Sequence, residues 1–247
     1  MLNEEKISTI LPDTTVVTYS VTDSTNTRAI ALSDTVSGNI LVAAEAQTKG
    51  KGRQGKSFYS PAASGIYFSL IVHPEGGLSD VVAITSATAV AVAETIEEMT
   101  GLDPKIKWVN DIYVKGRKVC GILVQSIIKS GRINGLCIGI GVNISTVEFP
   151  DDIASRAGSL GVEIDREIFV ARIAKKLIDF SKNVGDKSYL DYYRKKSYVI
   201  GKEIKFYENN VEHFAKAIGI DDNANLIVNE NGEIKKLSSG EITIRLN

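Results

Sequence analysis

A glycine-rich, cationic segment at residues 50–65 constrains this 247-residue chain more than any other stretch. Three glycines and three cations alternate at its start: Gly50, Lys51, Gly52, Arg53, Gly55 and Lys56. No acidic residue occurs between Glu45 and Glu75, so the local charge is strongly positive. Glycine lets the backbone approach a ligand closely, and successive free N–H groups attract anions. We expect this loop to cover an anionic ligand; the alternative is a solvated surface loop.

The same segment fits the phosphate-loop pattern of P-loop NTPases, since four residues separate Gly50 from Gly55-Lys56-Ser57. That motif works because its last residues open a helix whose N-terminus faces the phosphates. Here Pro61 would break such a helix, and residues 66–72 are rich in the β-branched and aromatic residues typical of strands. We interpret the match as accidental and expect the loop to lie between two strands.

Composition limits the class of protein. Hydrophobic residues make up 43% and charged residues 24% of the chain, as in a soluble protein with a proper core. A net charge of -1 argues against general binding of DNA, which requires a basic surface. No stretch has the length or character of a membrane span or a signal peptide. Cys120 and Cys137 lie in apolar runs and are expected to be reduced, buried thiols. We expect a cytoplasmic protein with no membrane partner.

The first hundred residues predict alternating strands and helices. Strands are expected at residues 15–19, 40–46 and 66–72, and a long helix is expected from Ser79 or Asp80 to about Thr100. A cluster of hydroxyl and amide groups at residues 23–27 precedes a short helical stretch. One such residue is enough to cap a helix, so the excess also suits binding of a ligand at the helix N-terminus.

A second informative segment spans residues 105–125. Strands at 112–114 and 119–125 are joined by a tight turn, and a third strand is expected at 133–142. Four polar residues bound these strands and predict one wall of a polar pocket: Lys107, Asn110, Asp111 and Lys118. Gly121 within a strand indicates close approach by backbone or ligand. Antiparallel neighbours with helices predict an α+β fold.

The last hundred residues change character at residue 197. Residues 145–164 are expected to be irregular, Asp165 to cap a helix, and residues 188–194 to form a shorter helix. Five short strands then follow, at 203–207, 211–220, 226–228, 233–237 and 241–246. They predict a small β-barrel, and hence two domains, 1–196 and 197–247. His73 is expected to be a loop residue and His213 a structural residue without an obvious partner.

Four separated motifs resemble the biotin protein ligase family in order and spacing. They span residues 45–55, 107–111 (Lys-Trp-Val-Asn-Asp), 118–125 and 139–143 (Gly-Ile-Gly-Val-Asn). Ser24-Thr25-Asn26 ahead of them and residues 240–245 after them fit as well. The resemblance implies a catalytic domain akin to class II aminoacyl-tRNA synthetases, with a mixed or antiparallel sheet and helices. It also implies a small SH3-like C-terminal domain.

The resemblance implies a two-step reaction. Biotin and ATP, with Mg²⁺, would give biotinyl-5′-AMP and pyrophosphate, and biotin would then pass to a lysine of a biotin carboxyl carrier domain. Family members often form homodimers, and many bacterial ones carry an N-terminal DNA-binding domain. Because only 23 residues precede Ser24, we expect the short form without that domain.

The resemblance also implies the roles of individual residues. Arg53 and Lys118 would be catalytic. The expected ligands of biotin or its adenylate are Ser24, Thr25, Asn26, Gln47, Lys51, Gly52, Arg53, Lys118 and Gly121. The expected ATP-binding residues are Gly50, Gly55, Phe58, Lys107, Trp108, Asn110, Asp111 and Asn143. Asp111 is also the candidate metal ligand. The chain departs from the family at three positions, with Lys51 for Arg, Phe58 for Trp and Val109 for Pro.

Three other functions stay open at this stage. A lipoate protein ligase shares the fold and the adenylation chemistry, although its arginine pair with a triple glycine and His-Asp is missing here. A P-loop NTPase would hydrolyse nucleotide without biotin. A binding module would hold biotin and release no pyrophosphate.

Overall fold

The computed structural model describes residues 2–74, 81–208, 211–238, 240 and 242–244. The helices are α1 (Glu4–Ile10), α2 (Thr25–Leu32), α3 (Val81–Thr100), α4 (Asp151–Ala154), α5 (Arg166–Ser181) and α6 (Tyr189–Lys195). The first seven strands are β1 (Thr14–Thr22), β2 (Asn39–Gln47), β3 (Gly65–Val72), β4 (Lys105–Lys107), β5 (Asp111–Val114), β6 (Arg117–Lys129) and β7 (Arg132–Asn143). The remaining strands are β8 (Glu203–Glu208), β9 (Val211–Ile220), β10 (Leu226–Glu230), β11 (Glu233–Leu237) and β12 (Ile242–Ile244).

The first seven strands form one sheet in the order β1-β2-β3-β7-β6-β5-β4. Strands β1 and β2 run parallel, and every other neighbouring pair in this sheet is antiparallel. The predicted α+β fold with a mostly antiparallel sheet is therefore confirmed. The sheet also places the glycine-rich loop, which connects β2 to β3, at one end of its central strands.

Both faces of the sheet are covered. Leu41 and Phe68 pack in the larger core cluster with residues of α3 and α5, while Ile40 and Ile71 pack in a second cluster with Ala29 of α2. Alternate residues of one strand thus point to opposite, buried faces. This explains why β2 and β3 read as continuous apolar runs without an alternating pattern.

The main helices begin and end where the sequence indicates. The Asp165 side chain accepts a hydrogen bond from the Ile168 amide across 3.0 Å, so the predicted N-cap of α5 is confirmed. Helix α3 ends at Thr100, followed by Gly101 with a positive φ of 68°. The predicted caps of α3, Ser79 and Asp80, lie outside the described residues.

The last five strands form a separate antiparallel sheet in the order β11-β10-β9-β8-β12. This agrees with the predicted small β domain; of the last expected strand, residues 241, 245 and 246 lie outside the described residues. The prediction that His213 has no partner is wrong. Its Nδ1 lies 2.8 Å from Glu230 Oε1, and its ring stacks on Phe206.

Three short elements differ from the sequence predictions. Helix α1 lies where only a polar lead was expected, and its N-cap, Asn3, accepts from the Lys6 amide. Helix α4 interrupts the segment predicted to be irregular, and β4 was not predicted. Helices of four to seven residues and a three-residue strand are too short for hydrophobic periodicity to reveal them. No helix among the described residues is long and apolar enough to cross a membrane.

Candidate active site

A cavity of about 740 Å³ opens beside the glycine-rich loop. All but two of the predicted site residues line it: Ser24, Thr25, Asn26, Gln47, Lys51, Gly52, Arg53, Phe58, Lys107, Trp108, Asn110, Asp111, Lys118, Gly121 and Asn143. The two exceptions, Gly50 and Gly55, are not on its wall. Segments far apart in the chain therefore meet in one cavity. The second sheet contributes as well, through residues 242–244 of β12.

The loop folds back on itself ahead of this cavity. The Gly52 amide donates to the Lys56 carbonyl and the Phe58 amide donates to the Gly50 carbonyl, at 2.7 and 2.9 Å. No helix follows Lys56, because Ser57 pairs antiparallel with Lys51. The interpretation of the phosphate-loop match as accidental is confirmed. Gly50 has a packing role here, since a Cβ at that position would lie 2.4 Å from the Phe58 carbonyl oxygen.

Cationic side chains from two segments share one end of the cavity. Arg53 Nη1 donates to Asn110 Oδ1 across 3.0 Å, and Lys118 Nζ lies 2.6 Å from Asp111 Oδ1. Among the residues that the structure describes, six cations and two carboxylates line the cavity: Lys51, Arg53, Lys56, Lys107, Lys118, Arg156, Asp111 and Asp152. This excess of positive charge suits carboxylate and phosphate groups, which form strong charge-assisted hydrogen bonds with such donors.

The opposite end of the cavity is polar and uncharged. The Thr25 amide donates to Gln47 Oε1 across 2.8 Å, and Gln47 Nε2 donates to Ser60 Oγ across 2.9 Å. Ser24 occupies the N-cap position of α2, yet its side chain makes no capping hydrogen bond. The hydroxyl and amide groups at residues 23–27 thus do more than start a helix. This end suits a neutral ligand group with its own donors and acceptors.

Comparison with known protein families identifies the family of this chain. Residues 18–143 match the biotin/lipoate A/B protein ligase family, and residues 199–245 match the biotin protein ligase C terminal domain. The chain belongs to the biotin/lipoate A/B protein ligase family. The matched segments include the glycine-rich loop, the Lys107–Asp111 wall and β12.

Individual relatives support the same family. The chain is 34% identical over 221 residues to the bifunctional ligase/repressor BirA of Bacillus subtilis, covering 83% of this chain and 66% of that one. It is 32% identical over 164 residues to the biotin–[acetyl-CoA-carboxylase] ligase of Paracoccus denitrificans, covering 62% of this chain and 67% of that one. The chain thus spans about two thirds of the length of these relatives.

A solved structure matches nearly the whole fold. The biotin protein ligase from Aquifex aeolicus in complex with biotin and ATP superposes with a TM-score of 0.81 at 27% identity, covering 94% of this chain and 99% of that one. The fold predicted from the family resemblance, an α+β catalytic sheet followed by a small β domain, is confirmed.

In this ligase-family chain, the ring of Phe58 rests on two glycines of the sheet. A Cβ at Gly121 would lie 3.0 Å, and one at Gly141 2.5 Å, from carbon atoms of that ring. The sequence predicted that backbone or ligand approaches Gly121; the approaching group is this side chain. A Cβ at Gly141 would force the aromatic ring to shift, and one at Gly121 would be in tight contact with it.

Trp108 connects the cavity wall to the second sheet. Only 3% of the residue is exposed, and its indole N–H donates to the Ala224 carbonyl across 2.9 Å. The N–H is therefore occupied within the protein, and only the ring surface is left to face a ligand. The roles assigned to Trp108 and to the other lining residues stay predictions.

Sequence reasoning missed the residues behind the uncharged end. Ser69 and Gln125 hydrogen-bond Asn26, and Ser60 holds Gln47. A signal for Ser69 existed, since it is the one serine in the buried run of β3 and is itself fully buried. A buried hydroxyl needs a partner, but the sequence does not reveal which partner.

The two cysteines are buried and unpaired, as predicted. Burial raises the pKa of Cys137 to about 12 and raises the pKa of Cys120 as well. A thiol is a nucleophile only as the thiolate. Both cysteines are therefore structural, and neither supplies a nucleophile to the cavity.

Proposed function

We infer that this protein is a biotin protein ligase. It joins the carboxylate of biotin to the α-phosphate of ATP, forming biotinyl-5′-AMP and pyrophosphate, and then transfers biotin to a lysine of a biotin carboxyl carrier domain. The observation that carries this inference is the placement of Arg53 and Lys118, from distant segments, on one cavity whose opposite end is polar and uncharged. The named relatives and the matching solved structure support it.

The first step brings two anions together. Cations must hold the biotin carboxylate against the α-phosphate and stabilise the charge that develops on the phosphoryl oxygens. We assign this role to Arg53 and Lys118, with help from Lys51 and Lys107. The hydrogen bond from Arg53 to Asn110 and the ion pair between Lys118 and Asp111 hold these two cations in place before the ligands arrive, so little reorganisation is needed during the reaction.

The uncharged end of the cavity is assigned to the ureido ring of biotin. That ring has two N–H donors and one carbonyl acceptor. Ser24, Thr25, Asn26 and Gln47 supply hydroxyl and amide groups of both kinds on this part of the wall. A charged side chain at this end would lose its hydration when biotin binds and would gain no ionic partner, because the ureido ring is uncharged. The gradient from neutral to cationic groups therefore orients biotin with its carboxylate toward ATP.

ATP is assigned to the wall around Asn110 and Asn143, with Phe58 offering a ring face to adenine. Mg²⁺, if bound, would neutralise part of the charge of the ATP phosphates. This ion is commonly held by one or two carboxylates together with phosphate and water oxygens. Asp111 and Asp152 are the carboxylates on the described part of the cavity wall and would supply that contact.

The second step uses the acceptor lysine, whose neutral amine attacks the carbonyl carbon of the mixed anhydride and expels AMP. Until then water must be excluded, because it would hydrolyse the same bond. We assign the exclusion of water to the glycine-rich loop, which covers the adenylate.

On the family resemblance we further propose that the protein is cytoplasmic and forms a homodimer. We also propose that the boundary between its two domains lies near residue 197. Because the net charge of the 247 residues is -1, we propose that they do not bind DNA.

Labelled biotin and labelled lipoate, each supplied with Mg-ATP and a carrier domain, test this function. The proposal predicts incorporation of biotin, loss of it in Lys118→Ala, and biotin-dependent release of pyrophosphate. Incorporation of lipoate alone would make the chain a lipoate ligase. Hydrolysis of ATP without biotin, abolished by Lys56→Ala and unaffected by Lys118→Ala, would make it an NTPase.

A further inference from the structure

Lys51 brings a primary amine to the cavity on the glycine-rich loop. Its backbone pairs antiparallel with Ser57, and the Gly52 amide next to it donates to the Lys56 carbonyl across 2.7 Å. The side chains of Lys51 and Ser57 both line the cavity. The paired backbone therefore anchors the base of this flexible side chain at the cavity wall.

The Lys51 amine has no hydrogen bond or ion pair within the part of the chain that the structure describes. Two other lysines on the wall do interact with protein groups. Lys118 is paired with Asp111 across 2.6 Å, and Lys107 Nζ lies 5.8 Å from the centroid of the Tyr113 ring. No described protein group would thus have to be displaced before the Lys51 amine approached a ligand.

Lys51 also lies near the uncharged end of the cavity. Burial raises the pKa of the Cys137 thiol to about 12, and the charge of Lys51 acts on this thiol in the opposite direction. Cys137 Sγ lies 3.9 Å from the backbone oxygen of Asn26, a residue of the uncharged end. A biotin whose ureido ring occupies that end directs its carboxyl group toward Arg53. The acyl carbon of the adenylate would then lie between the two ends, on the side of Lys51.

An amine in this position can act in two ways. In its charged form Lys51 helps to hold the anions, whereas its neutral Nζ is a nucleophile. Attack on the carbonyl carbon of the mixed anhydride forms a C–N bond and breaks the C–O bond to the phosphate. AMP leaves with the electron pair, and the amine proton passes to water. A nucleophile held beside its electrophile reacts much faster than one in free solution. An arginine at this position would be inert, because its guanidinium keeps its proton in proteins.

We propose that Lys51 is a self-acylation site, at which biotinyl-5′-AMP in the cavity transfers its biotinyl group to the chain that formed it. The product is an amide that replaces a cation on the wall with a biotinyl group and blocks formation of further adenylate. The acceptor lysine attacks the same carbonyl carbon, so a carrier domain suppresses the modification. The site rests on the proposed function, because that reaction supplies the acyl donor.

Peptide mapping of the wild-type protein, after incubation with biotin and Mg-ATP, locates the amide. Cleavage after Glu45 and Glu75 releases one peptide that contains three lysines, Lys49, Lys51 and Lys56, because no acidic residue lies between the two cleavage sites. Fragment ions distinguish the three, and excess serum albumin captures any adenylate that leaves the cavity.

We expect at least about tenfold more biotin on Lys51 than on Lys49, which is exposed and does not line the cavity. The rate of labelling should not depend on protein concentration, and addition of a carrier domain should lower it. Lys51→Arg keeps the charge without the nucleophile and should lose the label, whereas the matched control Lys49→Arg should keep it.

The wild-type map decides the outcome even if Lys51→Arg forms no adenylate. Equal labelling of Lys49 and Lys51, abolished by albumin, would show that released adenylate is the donor and would overturn the assignment of Lys51. Wild-type protein that retains adenylate in native mass spectrometry and carries no amide on Lys51 would also overturn it, with the proposed function intact. Wild-type protein that forms no adenylate would refute the proposed function and this site together.

Discussion

Lys118 Nζ and Asp111 Oδ1 form an ion pair 2.6 Å long between two adjacent strands, β6 and β5, at the wall of the cavity. The residue that precedes Asp111 in the chain, Asn110, accepts a hydrogen bond from Arg53 of the glycine-rich loop. The loop and the sheet are thus connected at the same point at which the two proposed catalytic cations meet. The proposed formation of the adenylate depends on these two contacts.

Arg53→Gly should weaken retention of the adenylate. The substitution removes both a cation and the 3.0 Å hydrogen bond from the loop to Asn110. Loss of a charged hydrogen bond predicts that the dissociation rate of biotinyl-5′-AMP rises about tenfold or more. Released adenylate would also label lysines of unrelated proteins.

The dissociation rate of labelled adenylate checks this. Lys49→Ala is the control, since Lys49 is an exposed cation next to the loop and does not line the cavity. Equal dissociation rates for the wild type and Arg53→Gly would contradict the role assigned to Arg53.

Gly139→Ala should impair binding of biotin while leaving ATP binding intact. A Cβ at this position would lie 2.1 Å from Asn26 Oδ1, and Asn26 cannot move aside without losing its bonds to Ser69 and Gln125. We expect the KM for biotin to rise about tenfold. Initial rates at varied biotin and ATP test this, with Gly185→Ala as an exposed control whose new Cβ would meet nothing closer than 3.7 Å. A larger effect on ATP than on biotin would refute it.

Trp108→Phe should loosen the connection between the two sheets. The ring stays, but the buried Ala224 carbonyl loses its donor. An unsatisfied buried acceptor costs about 1–3 kcal/mol of the free energy of unfolding. Because Trp108 lies next to Lys107 on the cavity wall, the KM for ATP should rise as well. Urea denaturation compares this variant with Tyr207→Phe, which removes an exposed donor; equal stabilities of the two would contradict the prediction.

Lys196→Met should remove part of the pH dependence of stability. Lys196, with 8% of its side chain exposed, bonds Glu97 and Asp103 at 2.7 and 2.9 Å. Its hydrogen bonds hold the pKa of both carboxyls below their ordinary values of 4.5 and 3.8. Groups with a lowered pKa stabilise the fold above their unfolded pKa, and this contribution is lost as the pH falls through the folded pKa.

The wild type should therefore exceed Lys196→Met by about 1 kcal/mol at pH 7, a modest figure because water screens the exposed carboxylates. The difference should vanish at an acid pH below the folded pKa of both carboxyls, where both are protonated. Urea denaturation at both pH values measures it. Lys175→Met, which breaks an exposed pair with Asp179, serves as the control. A difference that persists unchanged in acid would show that packing, and not the ion pairs, is responsible.

Local patterns in the sequence predicted most of the fold. The strands predicted at 211–220 and 233–237 have the same bounds in the structure, because turn residues interrupt the apolar alternation on each side. The strand predicted at 40–46 is one residue longer at both ends. Helix α1 was not predicted. Ile7 is its one buried residue, so the sequence shows no apolar stripe there.

The site was predictable where its chemistry is concentrated in short motifs and unpredictable where it depends on distant partners. Lys51, Arg53, Lys107 and Lys118 were predicted from the sequence and line the cavity. Arg156 also lines it and was not predicted. The bond between Asn26 and Gln125 joins residues 99 positions apart, and no local pattern encodes it. Which glycines of the loop face the cavity likewise depends on the folded chain: Gly52 lies on the wall, whereas Gly50 and Gly55 do not. The predicted contact of Gly50 and Gly55 with ATP stays a prediction.

Native mass spectrometry of the protein with biotin and Mg-ATP tests the central claim most directly. The account predicts a wild-type complex that carries the mass of biotinyl-5′-AMP, and no such complex for folded Lys118→Ala. Wild-type protein that retains no adenylate, or Lys118→Ala that retains as much as the wild type, would contradict it.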